Sequence, residues 1–240
     1  MERKSFSVRR KRKAKKGAVF FCLLCAALLI LSLCGFAGAF SLCGGAESAA
    51  DPDAWNLILV NGDHGVPLGY AGRQEFTELK NGEFVDSRIY PSLQQMFDDA
   101  RAAGVYPVVA SGYRSREQQE RLLEEKTAAY IGMGYGREEA RRLALTYCAR
   151  PGTSEHELGL AVDINADPQY SSGGEVYDWL ERNARRYGFI RRYPENKRAL
   201  TGIADEPWHY RYVGREAAEI IEADGLCLEE YLQRLEKSAR

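Results

Sequence analysis

From Gly17 to Ala46 the chain carries no charged residue, and this run sets the first division of the molecule. The stretch GAVFFCLLCAALLILSLCGFAGAF exceeds the roughly 20 apolar residues that a helix needs to cross a bilayer, so residues 17–40 read as one transmembrane helix. Ala37-Gly38-Ala39 resembles a small-residue cleavage site, but the apolar core of a cleaved signal is only about 7–15 residues long, and an uncleaved anchor fits the length better. Residues 1–16 hold nine Lys or Arg against Glu2 alone. A basic cluster directly before a span keeps that end in the cytoplasm. The expected arrangement is therefore a single pass through the cell membrane, with everything after about residue 41 outside.

The basic tail also explains the net charge of −1. With the tail set aside, the remainder is mildly acidic and shows no basic face of the kind that nucleic acid requires, so nucleic acid is not an expected partner. Residues 41–54, SLCGGAESAADPDA, are small, Gly-rich and aperiodic, which reads as a linker. A single domain over 55–240 follows. Four of the six cysteines, Cys22, Cys25, Cys34 and Cys43, sit in or beside the apolar run, where they read as apolar filler or lipidation sites, though neither LSLC nor FSLC has the small residue a lipoprotein signal wants. Cys148 and Cys227 lie in the domain; a disulfide between them is open, since two separated cysteines do not fix a pairing.

Within the domain, WNLILV reads as a buried strand ended by Asn61-Gly62-Asp63. Leu93, Met96, Phe97 and Ala100 recur at helical spacing over Tyr90–Ala103, with Gly104 as the stop. VYPVVASGY reads as a strand, and Ser115 as the N-cap of the helix REQQERLLEEKTAAY. A second helix REEARRLALTYCA, the strand LGLAVDI, the helix YDWLERNARRYG, a strand near FIRRY, the strand WHYRYV and a final helix from Arg215 complete the order. Interspersed helices and short strands point to an α+β fold with a small antiparallel sheet and flanking helices.

The chain has three histidines, His64, His156 and His209. His156 and Asp163, seven apart, would be separated by roughly 10 Å on a helix, too far to share a metal. If Gly159 turns the chain and LAVDI continues as a strand, Asp163 returns beside His156, with Val162 and Ile164 facing the core. The same period puts Trp208, Tyr210 and Tyr212 on one face of WHYRYV and His209 and Arg211 on the other. Two histidines and a carboxylate leave one position of a tetrahedral zinc open, which is the pattern of a catalytic site. Glu206, extended by the following Pro207, can act as the base at the mouth of that site. His64 reads as a turn residue, Trp208, Tyr210 and Tyr212 as core packing, and RLLEEK as a solvated helix face.

Three blocks, SGYRSREQQ at 111–119, PGTSEHELGLAVDI at 151–164 and EPWHYRYVG at 206–214, together resemble the zinc D-alanyl-D-alanine carboxypeptidases of the VanY type, with the related D,D-dipeptidases and L,D-carboxypeptidases of the Hedgehog/DD-peptidase fold. The resemblance spans nearly the whole domain and departs in the Gly-rich NGDHGVP stretch. It implies Zn2+ held by His156, Asp163 and His209, Glu206 as general base and acid, Arg114 at the scissile carbonyl, and Ser154 and Gln119 on the substrate terminus. The implied substrates are peptidoglycan stem peptides, cut at the terminal D-Ala. Two alternatives are an L,D-carboxypeptidase acting on the tetrapeptide stem and a non-catalytic zinc-containing cell-wall binding domain; Glu206 and Arg114 argue against the second.

Overall fold

The computed structural model describes residues 54–70 and 73–238. The basic tail, the expected span over 17–40 and all of the expected linker except Ala54 lie outside the described residues. Among those described, no helix is long and apolar enough to cross a membrane.

Among the described residues six short strands form: β1 (Phe76–Glu78), β2 (Phe84–Asp86), β3 (Pro107–Ser111), β4 (Ala161–Ala166), β5 (Phe189–Arg191) and β6 (His209–Tyr212). β1 and β2 pair as a hairpin, and the other four make a sheet in the order β3-β4-β6-β5. Every pair is antiparallel. The helices are α1 (Tyr90–Ala102), α2 (Arg116–Gly132), α3 (Arg137–Ala144), α4 (Gly173–Asn183), the single turn α5 (Arg198–Thr201), α6 (Arg215–Ala223) and α7 (Leu228–Ser238). The α+β architecture with a small antiparallel sheet is thus as the sequence predicts.

Side-chain alternation along the strands decides which face of the sheet is core. Val162 and Ile164 of β4 and Tyr210 of β6 join Leu93, Met96, Phe97 and Ala100 of α1 and Val176, Trp179 and Leu180 of α4 in one buried cluster. Full burial of a side chain of this kind contributes about 1.5–3 kcal/mol, so these elements anchor the sheet. Asp163, His209 and Arg211 are left on the opposite face. Ile190 of β5 packs instead with Ala217, Ile221, Leu228 and Tyr231 of α6 and α7 in a second cluster.

Ser115 caps α2 in a reciprocal capping box with Gln118, and Ser172 with Glu175 does the same for α4; each satisfies donors that the first helical turn leaves free. The second expected helix is shorter than its pattern, ending at Ala144, because Thr146 and Tyr147 bond three residues back and tighten the chain out of the α-form. The final helix breaks at Asp224-Gly225 into α6 and α7.

One expected strand does not form. WNLILV forms no strand, although Leu57 and Val60 are buried. Both edges of β6 are taken by β4 and β5, and the carbonyls of Asn56 and Ile58 accept instead from the Arg211 guanidinium, at 3.1 and 2.9 Å. Cys148 and Cys227 are both free thiols, buried in different clusters.

Candidate active site

The site is built at the meeting of a tight turn and the two inner strands. Glu155–Leu158 is a single 3-10 turn, and Gly159, at φ 71°, reverses the chain into β4. That left-handed conformation favours glycine, and a Cβ there would also lie 2.9 Å from the Phe76 ring. His156 is thereby held over Asp163, with its Nε2 3.4 Å from Asp163 Oδ2. Asp163 and His209 are directly opposed in the β4–β6 ladder, and His209 Nδ1 lies 3.0 Å from Asp163 Oδ1.

One donor atom from each of His156, Asp163 and His209 falls within 4.8 Å of the other two. The His156 ring uses its far nitrogen, Nδ1, on the Gly112 carbonyl at 2.7 Å, which leaves Nε2 free to donate its lone pair. Two imidazoles and one carboxylate are a donor set that suits zinc, and three protein ligands leave a position for chemistry. By this test the residues fit the metal.

Gly112 is itself fixed by packing. A Cβ at this position would come within 2.2 Å of the Phe84 carbonyl oxygen, while its N–H donates to Glu83 Oε2 at 2.7 Å. The irregular register between Val109 and Ser111 brings Ser111 opposite Asp163. Ser111, Asp163 and His209 therefore form a row across the sheet.

Around this row lie the remaining expected residues. Glu206, in the turn before β6, places Oε2 3.8 Å from His209 Nδ1. Arg114 lies with Nη2 3.7 Å from Asp163 Oδ2, held by Ser111 Oγ at 3.0 Å and Gln119 Oε1 at 2.5 Å. The Gln119 amide in turn donates to the Ala149 carbonyl at 2.7 Å. Ser154 is buried at the cleft wall. All of them line one cleft of about 730 Å³. His64 lies apart, exposed in its turn with its ring on Asn61.

Burial pushes the Glu206 carboxyl up to about 7; His209 opposes the rise and Asp163 adds to it. Burial also favours neutral Asp163, but His156 and His209 outweigh it and hold the carboxyl well below its ordinary range. The two histidines move oppositely. Burial lowers His156 against the pull of Asp163, whereas at His209 the neighbouring carboxylates of Asp163 and Glu155 outweigh burial and raise it to about 9. Cys148, also on the cleft wall, has its thiol raised by burial; a protonated thiol is a poor nucleophile.

Several cleft residues escape sequence reasoning. Arg121, Leu122, Glu125 and Lys126 of α2 face the cleft, so RLLEEK is in part a wall rather than a wholly solvated face. Trp208 lines the cleft too, ahead of the first residue of β6, while Tyr210 is core as expected. Tyr193 sets its ring 4.8 Å from that of His209. The charge of RLLEEK masks a mixed face, and nothing in the local pattern around Tyr193 signals its position.

A family model described as VanY, D-alanyl-D-alanine carboxypeptidase, matches residues 82–215. The D-alanyl-D-alanine carboxypeptidase of Enterococcus faecalis (strain ATCC 700802 / V583) is 56% identical over 187 residues, covering 78% of this chain and 69% of that protein. The vancomycin-resistance D,D-pentapeptidase VanY of a VanB-type cassette, solved with Zn(II), aligns with a TM-score of 0.73 at 57% identity, over 75% of this chain and 99% of its own. VanYB with D-Alanine-D-Alanine gives 0.73 at 57%, over 75% and 98%. The LdcB LD-carboxypeptidase is more distant, at 0.60 and 32%, over 75% and 86%.

Proposed function

The chain belongs to the VanY family of D-alanyl-D-alanine carboxypeptidases, and on that premise we propose that it releases the terminal D-Ala of peptidoglycan stem pentapeptides, with His156, Asp163 and His209 holding zinc. It is a metallopeptidase, and zinc is its cofactor. Bound by two imidazoles and a carboxylate, zinc supplies Lewis acidity, which brings water close to ionising at neutral pH and polarises an amide carbonyl.

The chain's own groups do the rest. Glu206 takes the proton that the attacking water gives up and returns one to the amine of the departing D-Ala, so the amide C–N bond breaks without a covalent enzyme intermediate. Arg114 faces the negative charge that builds on the carbonyl oxygen; losing one such donor in an oxyanion site costs about 3–4 kcal/mol. Gln119 acts through Arg114, since its oxygen and its nitrogen are already engaged with Arg114 and Ala149. Ser154 is the group we assign to the substrate terminus. The observation that carries this reading is the placement of Glu206 Oε2 3.8 Å from His209 Nδ1, the nitrogen that also faces Asp163.

The 57% identity to a protein named as a D,D-pentapeptidase, against 32% to one named as an LD-carboxypeptidase, supports D,D specificity. The deciding experiment supplies zinc-loaded protein with defined pentapeptide and tetrapeptide stems and quantifies released D-Ala. Release from the pentapeptide is expected. Release from the tetrapeptide alone would transfer the assignment to an L,D activity, and release from neither would remove both.

We also place the domain outside the cell, held by residues 17–40. The support is the uncharged run and its basic flank. Protease added to intact spheroplasts should digest the domain; protection of the domain until lysis would overturn this placement.

A further inference from the structure

Directly behind the metal-facing residues lies a buried charged group that the mechanism above does not use. Glu155 is 1% exposed and immediately precedes His156. Its Oε1 accepts from Arg192 Nε at 2.8 Å and from Arg211 Nη1 at 2.9 Å. Both arginines are fully buried. Arg192 continues as a two-pronged pair to Glu229, at 2.9 and 2.6 Å, and Arg211 is pinned on the carbonyls of Asn56, Ile58 and Tyr212. Two arginines and two carboxylates balance in charge, and the Glu155 carboxylate cannot swing away without abandoning both guanidinium groups.

The second oxygen of Glu155 points elsewhere. Oε2 lies 3.5 Å from His209 Nε2, and each of these two atoms is buried with no hydrogen-bond partner among the described residues. The separation is long for a hydrogen bond, yet each atom is the other's complement, and buried polar atoms are normally paired. On its other side the same ring turns Nδ1 to Asp163 Oδ1 at 3.0 Å. The ring is therefore flanked by a carboxylate on each nitrogen, one in the ligand set and one outside it.

We propose that Glu155 is a positioning residue for the zinc ligand His209: it accepts the Nε2–H and so fixes the tautomer whose Nδ1 lone pair faces the metal. Arg192 and Arg211 keep Glu155 ionised and immobile for that task. A carboxylate acceptor both orients a ligating imidazole and raises its basicity, and removing such a partner typically weakens metal binding by about 10–100-fold. Glu155 thus serves His209 as the Gly112 carbonyl serves His156, with the difference that it brings a full negative charge. The inference rests on reading His209 as a zinc ligand.

The test reads the metal rather than turnover. In zinc-loaded wild-type protein, imidazole 15N NMR should show His209 with its proton on Nε2 and a metal-shifted Nδ1. Zinc competition against a chelator should show Glu155→Gln binding about 10–100-fold more weakly than wild type, with its His209 Nε2–H signal displaced. A proton on Nδ1 in the wild type, or zinc affinity of Glu155→Gln within twofold of wild type, overturns the proposal. Should Glu155→Gln fail to fold, the wild-type spectrum alone decides. His209→Ala separates the two levels: if it binds zinc as wild type does, the ligand reading fails and the inference with it, whereas loss of zinc there beside normal affinity in Glu155→Gln defeats Glu155 alone.

Discussion

Asp163 and His209 stand directly opposite one another on neighbouring antiparallel strands, with Oδ1 and Nδ1 3.0 Å apart. The ladder that holds this pair belongs to a sheet packed on its other face by α1 and α4, so the geometry is set by the core rather than by a metal. Removing zinc with a chelator should therefore abolish D-Ala release while leaving far-ultraviolet circular dichroism nearly unchanged, and added zinc should restore activity. Collapse of the helical signal on chelation would show that the fold depends on the ion. Asp163→Ala should lose zinc under conditions where wild type retains one equivalent.

Glu206 is adjacent to Nδ1 of His209 but outside the three-residue donor cluster. Glu206→Gln keeps the shape and loses the proton acceptor, so kcat should fall by about 10²–10⁴ with zinc content intact. Wild-type kcat in that variant would remove Glu206 from the mechanism.

Arg114 and Gln119 are expected to separate by size of effect. Arg114→Lys shortens and narrows a group held between Ser111 and Gln119, and should lower kcat by about 10²–10³, the range for an oxyanion donor. Gln119→Ala leaves the guanidinium present but unsupported. Its kcat loss should be smaller, and the double variant should cost less than the two single losses combined, because both act at one point. Additive losses in ln kcat would mean that Gln119 acts independently of Arg114.

Much of this arrangement was legible in the sequence because it rests on short-range rules. The period of two along AVDI and WHYRYV, together with the turn at Gly159, places Asp163 and His209 on the polar face, and Ser115 announces its helix. What escaped depends on distant partners. WNLILV has the pattern of a strand, but both edges of β6 beside it are already paired with β4 and β5 and Arg211 took its carbonyls. No local spacing could reveal that Arg192 and Arg211 converge on Glu155, or that α2 turns Lys126 into the cleft.

Gly112 provides a steric test of the same site. A methyl group there would meet the Phe84 carbonyl oxygen at 2.2 Å, and backbone cannot yield as a flexible side chain can. Gly112→Ala should destabilise the domain by about 1–3 kcal/mol or more and weaken zinc binding, since the Gly112 carbonyl orients His156. A wild-type denaturation midpoint would show that β2 can retreat without consequence.

The pair formed by Glu229 and Arg192 gives a pH-dependent prediction away from the metal. Burial favours a neutral Glu229, but Arg192 and its hydrogen bonds outweigh burial and hold the carboxyl below its ordinary 4.5. A carboxyl depressed on folding contributes stability that is fully present above its unfolded value and is lost as pH falls through the folded one. Glu229→Gln leaves Arg192, fully buried, short of a counter-charge; breaking a buried pair in this way costs about 3–5 kcal/mol. Urea denaturation at pH 7 should show that loss, and the gap between variant and wild type should hold down to about pH 4.5 and shrink only below it. A gap that does not change with pH down to full carboxyl protonation would mean that Glu229 stabilises by packing and not by its charge.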